Sequence, residues 1–181
     1  MKKLEEAIKE GKVDKDIISL LEIINSVEWM YTTSSCAGRI QILEMNKIGD
    51  KKDSKILGKW HDCITVKDVE KSLKKHGSGY IYFFLQSPII HITTTDLEKG
   101  ILIKNLAMQS GFKYSNIKSI KKDKVVVEIL SSEHLQIPFG KNEKIYVDDE
   151  YLSFIVERAN TGLLRARNKL NDLMKNLKVV L

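Results

Sequence analysis

Residues 79–94 read GYIYFFLQSPIIHITT and contain the longest uncharged apolar run of the chain. Aromatic and β-branched side chains fill both halves of this segment, a composition typical of strands. The pair Ser87-Pro88 separates the halves, and proline cannot donate a hydrogen bond within a sheet. The segment therefore predicts two consecutive strands. It is too short for a membrane helix, which needs about 20 apolar residues.

The residues that follow this segment predict a helix and then a hairpin. The sequence TDLE at 95–98 has the form of a capping box, and Gly111 stands where helices commonly end. We therefore expect a helix over residues 96–110. Residues 113–120 and 125–131 are rich in β-branched side chains and flank the charged turn KKDK, which favours a β-hairpin.

The residues before the opening segment predict another helix and two more strands. Two aspartates precede an apolar i, i+3, i+4, i+7 pattern, so an acid-capped amphipathic helix is expected over about residues 14–27. Residues 29–35 and 39–45 have the composition of strands, and the turn sequence CAG separates them. The simplest interpretation is two strands joined by that turn.

A heptad pattern of apolar residues runs over about residues 148–178 and predicts one long helix. Gly162 lies inside it and costs about 1 kcal/mol relative to alanine, which indicates a bend or a close approach there. The apolar stripe serves either to cover a sheet or to form a dimer, and we favour covering a sheet. The chain is thus expected to be a single α+β domain over residues 1–181, with a mixed or antiparallel sheet of hairpins covered by helices.

The composition and the missing motifs exclude several classes of protein. With 43% hydrophobic residues and two prolines in 181, the chain has the composition of a folded globular protein. The sequence contains no GxGxxG, GxxxxGK[ST], GxSxG, HExxH or CxxC motif, so any nucleotide-like cofactor is expected to bind without the usual doubly wound fingerprint. The N-terminal residues lack a secretory apolar region, and Cys36 and Cys63 are expected to remain thiols in a cytoplasmic protein.

The first candidate site is the segment 32–39, TTSSCAGR, at the junction of two predicted strands. Small side chains let a ligand approach the backbone, hydroxyl groups such as those of Ser34 and Ser35 bind oxyanions, and Arg39 is suited to hold a carboxylate or phosphate bidentately. The structural alternative is a tight hairpin in which small residues only avoid clashes and Arg39 forms a surface ion pair.

The second candidate combines Trp60 and His61 with His91. An indole stacks on a purine or a sulfonium, and a histidine exchanges protons near neutral pH. The structural alternative is a core tryptophan with an ordinary neighbour. His91 alternates with two isoleucines and therefore faces the other side of its strand. The two cysteines and these two histidines have the composition of a zinc site but not its spacing, so no metal is expected.

Three of the four arginines, Arg158, Arg165 and Arg167, lie on the predicted long helix. The net charge of +6 comes mostly from lysine. Arg158 and Arg165 are one heptad apart, a spacing that suits contact with a phosphate backbone. The alternative is a solvated helix face. Asn160 lies between them at a position where a helix normally has a better helix former.

These motifs, taken in order, resemble the tRNA wybutosine-synthesizing protein 3 family. The segment TSSCAGRI at 33–40 resembles the serine-cysteine-glycine-arginine signature of that family. GKWH at 58–61 is similar to its glycine-tryptophan-histidine motif, and residues 81–92 resemble its aromatic strand with the following proline, isoleucine and histidine. The Ala159-Asn160 pair matches a late alanine-asparagine pair. His61 directly follows Trp60, whereas family members often place that histidine further on.

The resemblance implies an S-adenosylmethionine-dependent methyltransferase with an α+β fold. Its implied substrate is tRNA(Phe) that carries a tricyclic modified guanosine, a demethylwyosine derivative at position 37, methylated on N4. Ser34, Ser35, Arg39 and Trp60 are then expected to bind cofactor or substrate, and His91, or else His61, to act as a base. Arg158, Arg165 and Arg167 are expected to bind tRNA. The alternatives are a non-catalytic RNA-binding module and a small hydrolase or nuclease.

Overall fold

The computed structural model describes residues 2–47 and 53–180, and this part contains five α-helices, a short 3-10 helix and nine strands. The helices are α1 (Lys2–Lys9), α2 (Ile18–Asn25), α3 (Val66–Leu73), α4 (Leu97–Gln109) and α5 (Asp149–Val180), with the 3-10 helix at Lys15–Ile17. The strands are β1 (Met30–Cys36), β2 (Arg39–Met45), β3 (Lys55–Trp60), β4 (Tyr80–Gln86), β5 (Ile89–Thr94), β6 (Asn116–Lys121), β7 (Lys124–Leu130), β8 (Leu135–Lys141) and β9 (Lys144–Ile145). The pairings between these strands are antiparallel, which confirms the α+β class. Within the described ranges, no helix has the length and apolar character needed to cross a membrane.

The chain divides into two compact units, here named unit 1 and unit 2. Unit 1 comprises Met1–Ala37, Ser87–Ser132 and Arg165–Leu181, and unit 2 comprises Gly38–Gln86 and Glu133–Leu164. Unit 1 contains the four-stranded sheet β1-β5-β7-β6, and unit 2 contains the five-stranded sheet β3-β2-β4-β8-β9. That residues 1–181 form one domain stays a prediction.

Both strands predicted around the CAG turn exist, but they do not pair with each other. β1 pairs with β5, and β2 pairs with β3 and β4. Gly38 adopts a φ of 88°, a conformation that glycine reaches without a side-chain clash, and there the chain leaves one sheet and enters the other. The two strands predicted within residues 79–94 also belong to different sheets, because β4 is part of unit 2 and β5 is part of unit 1.

Two predicted helix starts differ in their capping contacts. The side chain of Asp96 caps α4 by accepting a 2.9 Å hydrogen bond from the Lys99 N–H, so this helix begins one residue later than the capping-box pattern predicts. Asp14 makes no side-chain cap for its helical segment. One of its carboxylate oxygens instead accepts a 2.7 Å hydrogen bond from the Ala37 N–H and ties the end of β1 to the start of the helical region.

The β6–β7 hairpin is confirmed, with Lys121 opposite Lys124.

The apolar stripe of α5 packs inside the fold, as predicted. All eight of its residues are buried: Leu152, Val156, Ala159, Leu163, Ala166, Leu170, Leu173 and Leu177. The first four belong to the core of unit 2, and the last three belong to the core of unit 1. The stripe therefore supplies apolar surface to each core. Burial of this surface stabilises the folded chain by roughly 25 cal/mol for every Å² removed from water.

Gly162 marks a close approach between α5 and β4 in unit 2. A Cβ atom at this position would lie 2.5 Å from Cδ2 of Leu85 and 3.1 Å from Nη1 of Arg158. Leu85 is only 1% exposed, so its side chain has little room to move away. The close approach, rather than helix propensity, therefore explains the glycine.

We expect Gly162→Ala to lower the free energy of unfolding by about 1 to 2 kcal/mol, because the overpacking against Leu85 outweighs the gain in helix propensity of about 1 kcal/mol. Thr161→Ala is the matched control, since Thr161 is the exposed neighbour on the same helix. Urea denaturation of both variants measures the difference. A Gly162→Ala protein more stable than the parent would contradict the packing argument.

Candidate active site

Three polar side chains lie side by side across the sheet of unit 1. β5 is between β1 and β7, and in this register His91 is opposite Ser34 on one side and Glu128 on the other. Ile90 and Ile92 are buried in the core of the unit. Because side chains alternate along a strand, His91 faces away from that core, as the sequence predicts.

Hydrogen bonds join these side chains into one network. Ser34 Oγ lies 2.6 Å from His91 Nδ1, and His91 Nε2 lies 2.6 Å from Oε2 of Glu128. Lys118 of β6 forms an ion pair with the same Glu128 oxygen, and its Nζ lies 3.2 Å from His91 Nε2. Because an ionised carboxylate only accepts, His91 carries a proton on Nε2 and donates it to Glu128. Nδ1 is then the ring nitrogen that faces the Ser34 hydroxyl.

The network holds Glu128 in its charged form. Hydrogen bonds from His91, followed by those from Lys118, lower the pKa of Glu128 from 4.5 to about 2, against the opposing effect of burial. Asn116 donates a further hydrogen bond of 3.3 Å to the other carboxylate oxygen. At neutral pH the carboxylate is therefore a fixed negative charge beside the imidazole.

Sequence reasoning missed Glu128 and Lys118. A signal for Glu128 exists in the sequence, since it is the one acidic residue within the β-branched strand β7. Its neighbours Val127 and Ile129 are buried, so its side chain lies on the opposite face. The register that places it beside His91 is a long-range property that the sequence alone does not provide.

A cavity of about 990 Å³ in unit 1 is lined by residues of α1, of α2 and of β1, including the whole segment 31–35. Of the four residues predicted to bind cofactor or substrate, Ser34 and Ser35 line this cavity, and Arg39 and Trp60 do not. Lys3 and Lys12 also line the cavity and give it positive charge, although Lys12 is paired with Glu10 at 2.6 Å. A cavity with hydroxyl groups, apolar surface and lysines suits an anionic ligand with a planar apolar part.

In unit 2, Arg39 lies at the start of β2, opposite Gln86 at the end of β4. Its Nε donates a 2.7 Å hydrogen bond to the Gln86 amide oxygen. The partner is neutral, so this contact orients the guanidinium without cancelling its charge. That Arg39 holds an anion stays a prediction. The tight hairpin expected as the structural alternative does not exist, because β1 and β2 pair with other strands.

Trp60 ends β3 in the same unit, and its indole lies over Gly58 of its own strand. A Cβ atom on Gly58 would come within 2.2 Å of the indole, and Trp60 also packs against the core of unit 2. The side chain of Asn160 in α5 holds the chain a few residues after Trp60 and His61. Its amide oxygen accepts a 2.9 Å hydrogen bond from the Ile64 N–H, and its amide nitrogen donates a 2.8 Å hydrogen bond to the Ile64 carbonyl oxygen. This double contact explains why a helix carries asparagine there.

The three arginines of α5 have different surroundings. In unit 2, Arg158 lies 3.7 Å from the buried carboxylate of Glu133. In unit 1, Arg167 forms an ion pair of 2.8 Å with Asp16, and its side chain is 21% exposed. Arg165 is exposed on the helix surface. Of the three residues, Arg165 is the one that is exposed as a whole, and Arg158 and Arg167 are partly buried.

Comparisons with known proteins agree over nearly the whole chain. The profile of the family described as "Methyltransferase TYW3" matches residues 1–179. A protein of Pyrococcus horikoshii named tRNA(Phe) 7-((3-amino-3-carboxypropyl)-4-demethylwyosine(37)-N(4))-methyltransferase 1 is 46% identical over 98% of this chain and 90% of its own. The relative of the same name in Pyrococcus furiosus is 48% identical over 96% of this chain and 89% of its own.

Solved structures show the same fold. A structure from Pyrococcus horikoshii superposes with a TM-score of 0.92 at 47% identity, and covers 97% of this chain and 90% of that one. A structure of a hypothetical protein from Aeropyrum pernix gives a TM-score of 0.80 at 27% identity, over 93% and 99% of the two chains.

The ionised Glu128 predicts an acid-dependent loss of stability. Its pKa is lower in the folded chain than in the unfolded one, so its contribution is complete above about pH 4.5 and is lost as the pH falls towards 2. We expect Glu128→Gln to lower the free energy of unfolding by up to about 3 kcal/mol at pH 7 and by much less near pH 2. Glu157→Gln, at an exposed position of α5, is the control. Urea titrations between pH 2 and 7 measure both, and parallel curves for parent and Glu128→Gln would contradict the assignment.

Proposed function

The chain belongs to the TYW3 methyltransferase family, and from this membership we propose that it methylates N4 of a demethylwyosine derivative at position 37 of tRNA(Phe). The observation that carries the proposal is the identity of 46–48% with relatives of that named activity over almost the full length of the chain. A tRNA substrate also leads us to infer that the protein works in the cytoplasm.

We propose S-adenosylmethionine as the cofactor, because it supplies an electrophilic methyl group on a sulfonium. The residues of the chain fit its parts. Arg39, whose contact is the neutral Gln86, is suited to the methionine carboxylate. The indole of Trp60 offers an aromatic surface for a purine, and Ser34 and Ser35 offer hydroxyl groups to cofactor or substrate. The two-sheet α+β fold agrees with the absence of a glycine-rich dinucleotide fingerprint from the sequence.

The reaction requires a base. A demethyl base carries hydrogen where the product carries methyl, so a proton leaves the ring system during the transfer. We propose that His91 takes up this proton, because its ring is held by Glu128, whose negative charge stabilises the imidazolium that forms. His61 is the second candidate, and it lies in the other unit. Alignment of donor and acceptor in a dry site supplies the rest of the rate enhancement.

We further propose that Arg158, Arg165 and Arg167 bind tRNA phosphates. Arg165 is an exposed residue of α5, which supports this role most directly. The sum of the chain's charges, +6, favours the approach of a polyanion.

The test of the function is methyl transfer to tRNA(Phe) that carries the 4-demethyl tricyclic base, followed by mass spectrometry of the nucleoside. We expect a product heavier by one methylene group, and we expect His91→Asn to lower the single-turnover rate on the order of 100- to 10,000-fold. His61→Asn is the matched control and should have the smaller effect. Cofactor affinity, measured by calorimetry, should change little in either variant.

Two outcomes would contradict these assignments. Tight tRNA binding by the parent protein without methyl transfer would indicate the non-catalytic RNA-binding module. A His91→Asn protein with the parent rate and pH profile would remove His91 from the mechanism.

Arg39→Lys separates cofactor binding from tRNA binding. Lysine keeps the charge but loses the planar fork, so we expect S-adenosylmethionine to bind more weakly by about 1 to 3 kcal/mol, with tRNA affinity less affected. Arg165→Gln should have the reverse effect. We expect weaker tRNA binding, and we expect the slope of log affinity against log salt concentration to be smaller by about one. The affinity for the cofactor should not change. Calorimetry and filter binding measure the two constants. Equal effects of both variants on both ligands would refute the division of roles.

A further inference from the structure

The tip of the β6–β7 hairpin in unit 1 concentrates positive charge. Lys121 ends β6, Lys124 begins β7, and Lys122 and Asp123 form the turn between them. All four residues are exposed. At neutral pH they carry three positive charges and one negative charge. Residues 121–124 are here named the hairpin tip.

Two of these lysines share a face of the sheet with the His91 network. Buried residues occupy the alternate positions of β7, so the side chains of Lys124 and Glu128 project from the opposite face. Lys121 lies directly opposite Lys124 and therefore on the same face. Four residues of strand separate Lys124 from Glu128, a distance of about 13 Å. The hairpin tip thus extends the face on which His91 lies.

The positive charge of the tip is not neutralised within the protein. In residues 2–47 and 53–180, no carboxylate forms an ion pair with Lys121, Lys122 or Lys124. By contrast, Lys99 of the same unit pairs with Asp96 at 2.8 Å. Like charges directly opposite each other on neighbouring strands destabilise a sheet. The hairpin therefore carries an electrostatic cost that a bound polyanion would remove.

Protection of the sheet edge explains only part of this arrangement. β6 is an edge strand of the four-stranded sheet, and lysines on an edge strand hinder pairing with another chain. That role accounts for Lys121. Lys124 belongs to β7, an interior strand that pairs with both β5 and β6. Edge protection therefore gives no reason for a lysine at this second position.

We propose that the hairpin tip binds phosphates of the substrate RNA close to the base that is methylated. The proposal rests on the proposed function, in which His91 acts at that base. Lysine side chains are compact cations that contact phosphate oxygens and release the counterions of a nucleic acid. The separation of about 13 Å along the sheet corresponds to a few nucleotides, so the contact belongs to the anticodon stem-loop. It adds to the phosphate contacts proposed for the arginines of α5.

The test is the binding of an anticodon stem-loop RNA to a protein that combines Lys121→Gln with Lys124→Gln, measured over a range of salt concentrations without a methyl donor. We expect the slope of log affinity against log salt concentration to be smaller by about 1.4 to 1.8, because each lost phosphate contact contributes about 0.7 to 0.9. At about 0.1 M salt the affinity should be lower on the order of 10- to 60-fold. Full-length tRNA should show the same loss.

The matched control combines Lys67→Gln with Lys71→Gln. These are two exposed lysines one helical turn apart on α3, in unit 2, so the control removes the same charge from another surface. We expect it to bind the stem-loop with the affinity and the salt slope of the parent. An equal loss in the control would show that only the total charge matters and would refute a site at the hairpin tip.

Two further measurements separate binding from structure. In methyl transfer, the hairpin variant should raise the KM for tRNA and leave kcat within about twofold of the parent, because these lysines do not touch the reacting atoms. The midpoint of its urea denaturation should equal or exceed that of the parent, because the facing charges are removed. A lower midpoint would show that the lysines stabilise the hairpin and would contradict the electrostatic cost.

Three other results would overturn the proposal. An unchanged affinity and salt slope would identify the lysines as a solvated surface. A loss with full-length tRNA but not with the stem-loop would place the contact elsewhere on the tRNA. Binding to phosphatidylserine vesicles that the variant loses, with RNA binding kept, would assign the hairpin tip to a membrane surface. Failure of the proposed function is distinguishable, because the parent would then transfer no methyl group, whereas RNA binding is measured without transfer.

Discussion

The antiparallel register of β5 between β1 and β7 is the constraint on which the unit 1 site depends. It places a hydroxyl, an imidazole and a carboxylate at consecutive positions across one face of the sheet, while the isoleucines of β5 anchor the other face in the core. A slip of one residue would turn His91 into the core and leave Glu128 without its main hydrogen-bond donor. The burial of Ile90 and Ile92 therefore determines which way the histidine faces.

Most of the secondary structure could be predicted from the sequence, because the patterns that specify it are local. The heptad pattern predicted α5 and its burial, and the β-branched runs predicted the β6–β7 hairpin. Strand partners were predicted less well. The turn at Cys36-Ala37-Gly38 has the composition of a hairpin turn, yet the strands on its two sides join different sheets, since pairing is decided by residues distant in the sequence.

The candidate site shows the same limit. Ser34, Arg39 and His91 attract attention by their residue types and neighbours, whereas Glu128 becomes visible only through its register with His91. Asn160 is an instructive case, because the sequence identifies it as out of place in a helix and the structure gives the cause, two hydrogen bonds to the backbone of Ile64. A residue that contradicts its local propensity thus pointed to a tertiary contact, without revealing which one.

The passage of α5 through both cores has a consequence for folding. Leu170, Leu173 and Leu177 complete a core whose other members begin at Ile17, so the interior of unit 1 is built from three separate segments of the chain. Such non-local contacts carry a large loop-closure entropy and make folding slow. Unit 1 is also not a contiguous segment, so a truncation that removes residues 165–181 takes Leu170, Leu173 and Leu177 out of its core. Proteolytic sensitivity of this core should therefore report on the integrity of a helix that lies far away in the sequence.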